Sequence, residues 1–543
     1  MAPLSCERKQ LALTAGKTLF DHADELQIKI PTSCGRCGTC HECIVEVTRG
    51  IEALSERSEA EQFLPHHYRL ACQARVLDAT ADIAFTLIKR RRQIVTTGLS
   101  RDVELEPSTR RVGDDVYAGG QRIDIYRGGI YGLAIDVGTT TVVLNLVDLE
   151  TSAVRYTSAL ENPQRFGGSD VMHRISYDRG PCRGELHRAI VNAVNAEIRE
   201  MCRRLRFIRR LIYEVVVVGN STMRDLFFNL DTRSLGEKPY HSLTELAVLN
   251  GERSTTSLTM PARALRIRIN PMGSVYGAPL IGSHVGADAA ADLLAIGVDE
   301  LGRDDAFMLV DIGANTEVIA GTPRRMLAAS CPAGPAFEGG HVTNGMPGYE
   351  GAIESVACSN GRMHYRVIGN GEPEGICGSG LIDLLSELVR HRRMSPRGTF
   401  QGSAREIPIV PEKGITLSRG DVSELAQAKA ANYAGQLILL RSLRIPPERI
   451  GRVYLAGGFA NYINVANAIA IGLVPNLPPE RIVKVGNAAL EGATILLRSR
   501  AKREALERLV RQIEHVELET APDFFDLFVE GCFFEPMNGA CLR

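Results

Sequence analysis

The chain has 543 residues with 63 basic and 64 acidic side chains, a formal net charge of −1; the length predicts several domains, each able to bury its own core, and the charge balance leaves no electrostatic case for a nucleic-acid or anionic-membrane partner. No apolar run approaches the roughly 18 residues that a spanning helix needs, and the first residues, Met-Ala-Pro-Leu-Ser-Cys-Glu-Arg-Lys, lack the apolar centre of a signal peptide. Thirteen cysteines, five of them between positions 34 and 72, point to a reducing cytoplasmic setting and a metal site, and not to a disulfide framework.

Residues 1–93 form the first predicted unit. Leu11-Ala-Leu-Thr is strand-like, and Leu19-Phe-Asp-His-Ala-Asp-Glu-Leu is an amphipathic helix. Next comes Cys34-Gly-Arg-Cys-Gly-Thr-Cys40-His-Glu-Cys43, then the alternating strand Ile44-Val-Glu-Val. Ser58-Glu-Ala-Glu61 has capping-box spacing and predicts a short helix ahead of Tyr68-Arg-Leu-Ala-Cys72. The order suits a small α+β domain. Three thiolates in one loop and a distant fourth suit a plant-type [2Fe–2S] cluster, with Cys34, Cys40, Cys43 and Cys72 as ligands; the first gap is five residues where the plant-type spacing has four. Structural zinc prefers two separated Cys-x2-Cys pairs. Counting Cys37 gives C-x2-C-x2-C-x2-C, the beginning of a [4Fe–4S] run, but Ile44 stands where such a run continues toward Cys-Pro, and Cys72 is then left without a role. Cys37 is read as a spare thiol.

Residues 94–130 read as a polar linker with a little strand. Arginine outnumbers lysine fifty-four to nine, a composition habit, so the run Lys89-Arg-Arg-Arg92 just before it is a solvated face. From Tyr131 the texture becomes α/β. Tyr131-Gly-Leu-Ala-Ile135 is a buried strand ending at Asp136, and Thr140 to Val147 is the next. Leu186 to Leu205 is helical, and Val215-Val-Val-Val218 ends at Gly219 and Asn220, candidate nucleotide contacts. The pattern then restarts with Phe307-Met-Leu-Val310 ending at Asp311, followed by Glu317-Val-Ile-Ala320. Two halves that open strand–Asp-x-Gly–strand predict an internal duplication.

The paired turns Asp136-Val-Gly138-Thr139-Thr140 and Asp311-Ile-Gly313-Ala-Asn315-Thr316 suit phosphate binding. Gly138 and Gly313 permit tight hairpins, and backbone N–H groups with the Thr139, Thr140 and Thr316 hydroxyls face phosphate oxygens. Asp136 and Asp311 are the expected carboxylates for Mg2+, held through water. Gly378, Ser379 and Gly380 open a glycine-rich helix and are candidate nucleotide contacts, though the segment by itself also reads as a structural cap. Gly457 and Gly458, after strand Val453-Tyr-Leu455, allow close backbone approach to a flat nucleoside. The long Gly/Pro-rich loop from Ser330 holds Glu338, a candidate for positioning a water or else a loop hydrogen-bond acceptor. The loop Asn162-Pro-Gln-Arg-Phe-Gly-Gly-Ser-Asp170 and the turn Val285-Gly-Ala-Asp288 have no assigned role.

Together these motifs resemble the reductive activators of corrinoid proteins. The resemblance spans nearly the whole chain, from Cys34-x5-Cys40-x2-Cys43 through Ile135-Asp-Val-Gly-Thr-Thr-Thr141 and Gly334-Pro-Ala-Phe-Glu-Gly339 to Leu455-Ala-Gly-Gly-Phe459 and Gly486-Asn-Ala-Ala-Leu490. It departs at Cys37 and His41, where the family tends to carry a non-cysteine residue and glycine. The resemblance implies a β-grasp ferredoxin-like domain followed by a duplicated actin-like, ribonuclease H-like ATPase fold, with lobes at 131–305 and 306–543. It implies a repair reaction: one electron returned through the cluster to Co(II) of a corrinoid protein of a methyltransferase system, giving Co(I), with ATP and Mg2+. An upstream electron donor is implied, and a homodimer is left open. The competing readings are an electron carrier whose nucleotide lobes only regulate docking and a small-molecule kinase with a regulatory cluster. Radical dehydratase activators share the ATPase fold but carry no ferredoxin domain.

Overall fold

β-Branched runs such as Thr141–Asp148 and Ile212–Val218 build the central strands. The computed structural model describes residues 3–6, 9–65, 67–87, 98–313, 315–359, 362–458 and 460–537. The run Lys89 to Arg92, Ala314 of the second turn and Phe459 lie outside the described residues.

The N-terminal sheet has five strands in the order Lys9–Ala12, Pro3–Cys6, Ile83–Leu87, Ile44–Arg49 and Tyr68–Leu70. Helix Leu19–Glu25 starts at Thr18, whose hydroxyl caps Asp21 N–H while the Asp21 carboxylate returns to Thr18 N–H. Its Leu19, Phe20 and Ala23 are buried. The short helix expected at Ser58 is a single 3-10 turn, Glu59–Glu61, with both arms of the capping box formed.

Residues 98–130 hold a three-stranded antiparallel sheet, Thr109–Val112, Asp115–Ala118 and Gln121–Ile125. Hydrogen bonds tie this stretch down. Arg101 reaches Leu294 O at 2.7 Å and Asp299 at 3.0 Å, Glu106 N donates to Arg498 O at 2.8 Å, and Asp124 accepts from Asn270 and Tyr213. Polar composition thus serves anchoring here.

Two six-stranded sheets follow. The first runs Val154–Glu161, Thr141–Asp148, Tyr131–Val137, Ile212–Val218, Ser274–Gly277, Leu258–Pro261; the second runs Ile482–Gly486, Arg452–Ala456, Phe307–Ile312, Thr316–Thr322, Arg325–Cys331, Ile513–His515. Each contains an antiparallel three-stranded meander whose first strand, Tyr131–Val137 or Phe307–Ile312, also pairs in parallel with a later strand. The repeated order is the duplication that the two Asp-x-Gly turns announce. Strands buried on both faces need no alternation, as in Ile212–Val218, which is buried throughout. No helix among the described residues is long and apolar enough to cross a membrane.

The halves meet where helices Ala287–Ala295 and Ala488–Arg498 cross. A Cβ on Gly492 would lie 2.1 Å from Ala291 O and 2.5 Å from its carbonyl carbon. Both are backbone atoms, so the helices themselves have to part. Gly492→Ala is therefore expected to cost about 1–3 kcal/mol by overpacking, read as a lowered thermal midpoint; an unchanged midpoint would mean that the crossing tolerates the extra methyl.

The N-terminal core is not separate from the rest. Its buried apolar residues run without a break into those of the first half, through Phe63 and Phe166.

Candidate functional site

The cysteine loop is shaped by residues that accept a left-handed backbone. Gly35, Arg36, Gly38 and His41 have φ of 65°, 71°, 83° and 58°. At Gly38 a Cβ would also press on Ala60 Cβ and the Gln73 side chain at 3.1 Å, so glycine is required there on two counts. Arg36 pins the loop to the neighbouring helix through Asp24 at 2.5 Å and Asp21 at 3.3 Å.

Strand register places the sulfurs. Ile44 pairs with Leu70, so Cys43, just before one strand, meets Cys72, just after the other, with Sγ atoms 3.4 Å apart. The second strand is held by Arg69, whose guanidinium bonds Glu61 at 2.8 Å with both side chains buried; Glu61 also accepts from Leu70 N at 3.0 Å. Burial opposes ionisation of Cys34, but the N–H of Cys40 and the Cys40 thiol outweigh it and bring its pKa down to about 5. Cys72, bonded by the Cys43 thiol and reached by the Gln73 amide, falls to about 6. Cys43, on the donor side of that bond and buried, is pushed up. The four sulfurs therefore come as two pairs, Cys34 with Cys40 and Cys43 with Cys72. Among the described residues no three His, Cys, Asp or Glu side chains are grouped to hold one metal ion. Two thiolate pairs match a two-iron group with two protein ligands per iron. Cys37 is exposed, with Sγ 3.2 Å from Thr39 Oγ1 and within reach of Cys34.

The second candidate site is a cleft of about 200 Å3 between the two large sheets. Each Asp-x-Gly turn is closed by its glycine: Gly138 N donates to Thr141 O at 3.0 Å and Gly313 N to Asn315 O at 3.1 Å. Asp136, Gly138, Thr139, Thr140 and Asn220 line the cleft from one half, and Asp311, Gly313, Asn315 and Glu338 from the other, with Gly378, Gly457 and Gly458 on its walls. Thr140 Oγ1 donates to Glu338 Oε2 at 2.9 Å, joining the halves across the cleft. Asn220 Nδ2 donates to Thr139 Oγ1 at 3.2 Å. At Gly457, φ is 112° and a Cβ would sit 2.3 Å from Ile312 O.

Four predicted residues do not line this cleft. Thr316 is buried in its sheet pair with Cys331. The Ser379 hydroxyl is bonded to Glu354 O at 2.8 Å. Gly380 is a packing glycine, since a Cβ would lie 2.3 Å from Ile353 O, and Gly219 turns the chain against Val137 O.

The structure also adds acids that motif reading missed. Asp288 and Asp292, one turn apart on helix Ala287–Ala295, line the cleft with Glu317 beside Asp136 and Asp311. Burial, opposed by the Asn487 amide at 2.8 Å and reinforced by Asp311, raises Asp136 to about 7. Burial raises Asp311 to about 6, and burial with the charges of Asp311 and Asp136 raises Asp288 to about 8. Asp292 and Glu317 are driven well above the usual carboxylate range by the same causes. Asp292 is fully buried, and its raised carboxyl shares a hydrogen bond with Asp311. The five acids crowd one buried cleft without three of them closing on a single ion position, so a hard divalent cation there would be met through its waters and not by a direct carboxylate cage. Two acids in the otherwise apolar stretch Ala-Asp288-Ala-Ala-Ala-Asp292-Leu-Leu-Ala were the available signal.

Fold and sites together define a two-lobed, actin-like ATPase carrying an iron–sulfur domain. Residues 5–77 match the 2Fe-2S iron-sulfur cluster binding domain, 131–301 the RACo middle region, and 305–541 the C-terminal domain of RACo, the ASKHA domain. The chain is 34% identical over 431 residues to the corrinoid activation enzyme RamQ of Eubacterium limosum, spanning 75% of this chain and 70% of that one. It is 24% identical over 440 residues to a [Co(II) methylated amine-specific corrinoid protein] reductase of Methanosarcina barkeri, spanning 74% and 76%. The solved structure of a reductive activator for corrinoid, iron-sulfur protein superposes with a TM-score of 0.72 at 28% identity over 99% of both chains. The chain belongs to the family of corrinoid activation enzymes.

Proposed function

We propose that this protein is an ATP-driven reductive activase that returns one electron to the Co(II) centre of a corrinoid protein and restores Co(I). The observation that carries the proposal is the union, in one chain, of two thiolate pairs and a two-lobed cleft with paired phosphate turns. Cys34, Cys40, Cys43 and Cys72 are the proposed holders of a [2Fe–2S] cluster, which when bound supplies single electrons near about −400 mV. Asp136 and Asp311, with Asp288, Asp292 and Glu317 around them, are proposed to hold Mg2+ through its waters. The N–H groups of the two turns and the Thr139 and Thr140 hydroxyls are proposed to receive the phosphates. Glu338 is proposed to orient the attacking water once Thr140 lets go of it.

The cleft is smaller than the roughly 300–1,000 Å3 of small-molecule sites, so nucleotide entry requires the lobes to part and the Thr140–Glu338 bond to break. Reducing a couple 100 mV below the donor costs roughly 2.3 kcal/mol per electron. Lobe movement offsets this cost only if the corrinoid partner binds one lobe arrangement better than the other. The partner is thus the Co(II) form of a corrinoid protein, and reducing equivalents come from an external electron donor.

Rapid-mixing absorbance tests the reading. Reduced protein and a Co(II) corrinoid protein are expected to give Co(I) with ATP, and far less with a non-hydrolysable analogue or without nucleotide. Equal yields in all three would leave the nucleotide lobes a regulatory role only.

A further inference from the structure

We infer that the loop Asn162–Gly168 couples nucleotide occupancy of the cleft to the hold on the iron–sulfur domain, with Arg165 and Phe166 as its two grips. The inference rests on the reading of the cleft as a nucleotide site. The loop follows strand Val154–Glu161 directly and touches both partners.

On one side it grips the phosphate turn by its carbonyls. Asn162 is fully buried, accepts from Gln164 N–H at 2.9 Å, and donates from Nδ2 to Gly138 O at 2.8 Å and from its backbone to Thr140 O at 2.7 Å. The buried Arg174 bonds Thr139 O at 2.7 Å and Gly168 O at 3.1 Å, so one guanidinium holds the turn and the loop together. All three carbonyls of Gly138, Thr139 and Thr140 are held this way, on the residues that line the cleft.

On the other side the loop grips the iron–sulfur domain. Arg165 donates to Glu46 at 2.5 Å and to the Tyr68 hydroxyl at 3.2 Å. Glu46 and Tyr68 are register partners on the strands that carry Cys43 and Cys72 at their ends. Phe166 meets Phe63 edge-on at 5.9 Å, and Phe63 stacks on His41 at 4.2 Å, next to Cys40. Tyr177, which packs against Phe166, donates to Phe63 O. Two further bonds complete the seat: Asn192 to Cys40 O at 2.9 Å, and His41 Nδ1 to Glu185 at 2.8 Å. The cysteine pair and the phosphate turn are thus joined through one loop of seven residues.

A phosphate chain on the turn brings negative charge toward Arg174, whose partners here are two carbonyls and the Met223 sulfur. It also forces the cleft to widen. Both effects pull the turn and Arg174 away from Asn162 and Gly168, and loosen the grip of Arg165 and Phe166. Nucleotide therefore weakens docking of the iron–sulfur domain, and by reciprocity docking weakens nucleotide binding by the same factor, of about 5–150-fold for typical coupled sites.

Hydrogen exchange on the full-length, cluster-loaded protein, with nucleotide affinity measured on the same sample, tests this. In the unaltered protein, a non-hydrolysable ATP analogue with Mg2+ is expected to speed exchange of residues 63–70 by about fivefold or more. In Arg165→Ala the same amides exchange fast from the outset and nucleotide adds nothing. The variant binds nucleotide as tightly or more tightly, with an unchanged cluster spectrum; mere structural damage moves affinity the other way. Phe166→Leu, which keeps an apolar filler, is expected to fall between. Binding of the analogue without any change at residues 63–70, or a full response in Arg165→Ala, overturns the coupling alone. Failure of the analogue to bind at all overturns the nucleotide reading and the coupling with it.

Discussion

Serine at Cys34, Cys40, Cys43 or Cys72 abolishes or strongly alters the visible spectrum and takes iron and sulfide well below the expected value of about two per chain, whereas Cys37→Ser keeps both. The expectation follows from the sulfur pairs. Cys43 and Cys72 stand 3.4 Å apart on the ends of paired strands, and the Cys34 thiolate is stabilised by Cys40. Removing one member leaves an iron with a single protein thiolate. Cys37 lies on the exposed face of the loop. Loss of the spectrum in Cys37→Ser together with its retention in Cys72→Ser would overturn the pairing. Cys43→Ser and Cys72→Ser are also expected to lower the thermal midpoint more than Cys34→Ser, because those two side chains are buried in the core.

Asp136→Ala and Asp311→Ala each reduce Mg-dependent ATP hydrolysis on the order of 10–100-fold, the usual effect of losing an outer-shell carboxylate, and leave the cluster spectrum unchanged. The spectrum survives because both acids face the cleft; separate cores are not the reason, since the iron–sulfur domain shares its core with the first lobe. Undiminished hydrolysis in both variants would remove these residues from the cation shell. A pH dependence follows from the same carboxyls. On folding they rise from about 4 to about 6 for Asp311, 7 for Asp136 and 8 for Asp288. A carboxyl raised on folding contributes stability that is fully present below its unfolded pKa and is lost as pH climbs through its folded one. In the absence of a cation, stability therefore drains away from about pH 4, where the unfolded carboxyls ionise, up to about pH 8, where Asp288 does so in the folded protein. A bound cation needs the ionised form and offsets that loss. The rise in melting temperature caused by Mg2+ is accordingly expected to be small near pH 5.5 and to grow toward pH 8.5, with protons released on binding. A rise that is flat across this range, or larger at the acid end, would separate these carboxyls from cation binding.

The parts of this protein that its sequence determines alone are local ones. Cys34 to Cys43 with Gly35 and Gly38 specify a tight loop, and a strand running into Asp-x-Gly specifies a hairpin, because spacing and backbone freedom within ten residues settle both. Repetition of that hairpin makes the duplicated fold legible in the sequence. What only the tertiary structure decided depends on register and on helix rotation. Pairing of Ile44 with Leu70 brings Cys72 to Cys43 across 29 positions. Asp288 and Asp292 stand out as acids in an apolar stretch, but the direction they turn is settled by the crossing at Gly492, which sets the rotation of their helix. Ser379 and Gly380 look like phosphate contacts in a glycine-rich helix start, yet packing against Glu354 and Ile353 claims them. Residues 98–130 look like a spacer by composition, and their anchoring comes from carbonyls and carboxylates hundreds of positions away. Arg165 shows the limit most clearly. In the sequence it is one of fifty-four arginines, and only the pairing of two strands, set by long-range packing, gives it Glu46 and Tyr68 to hold.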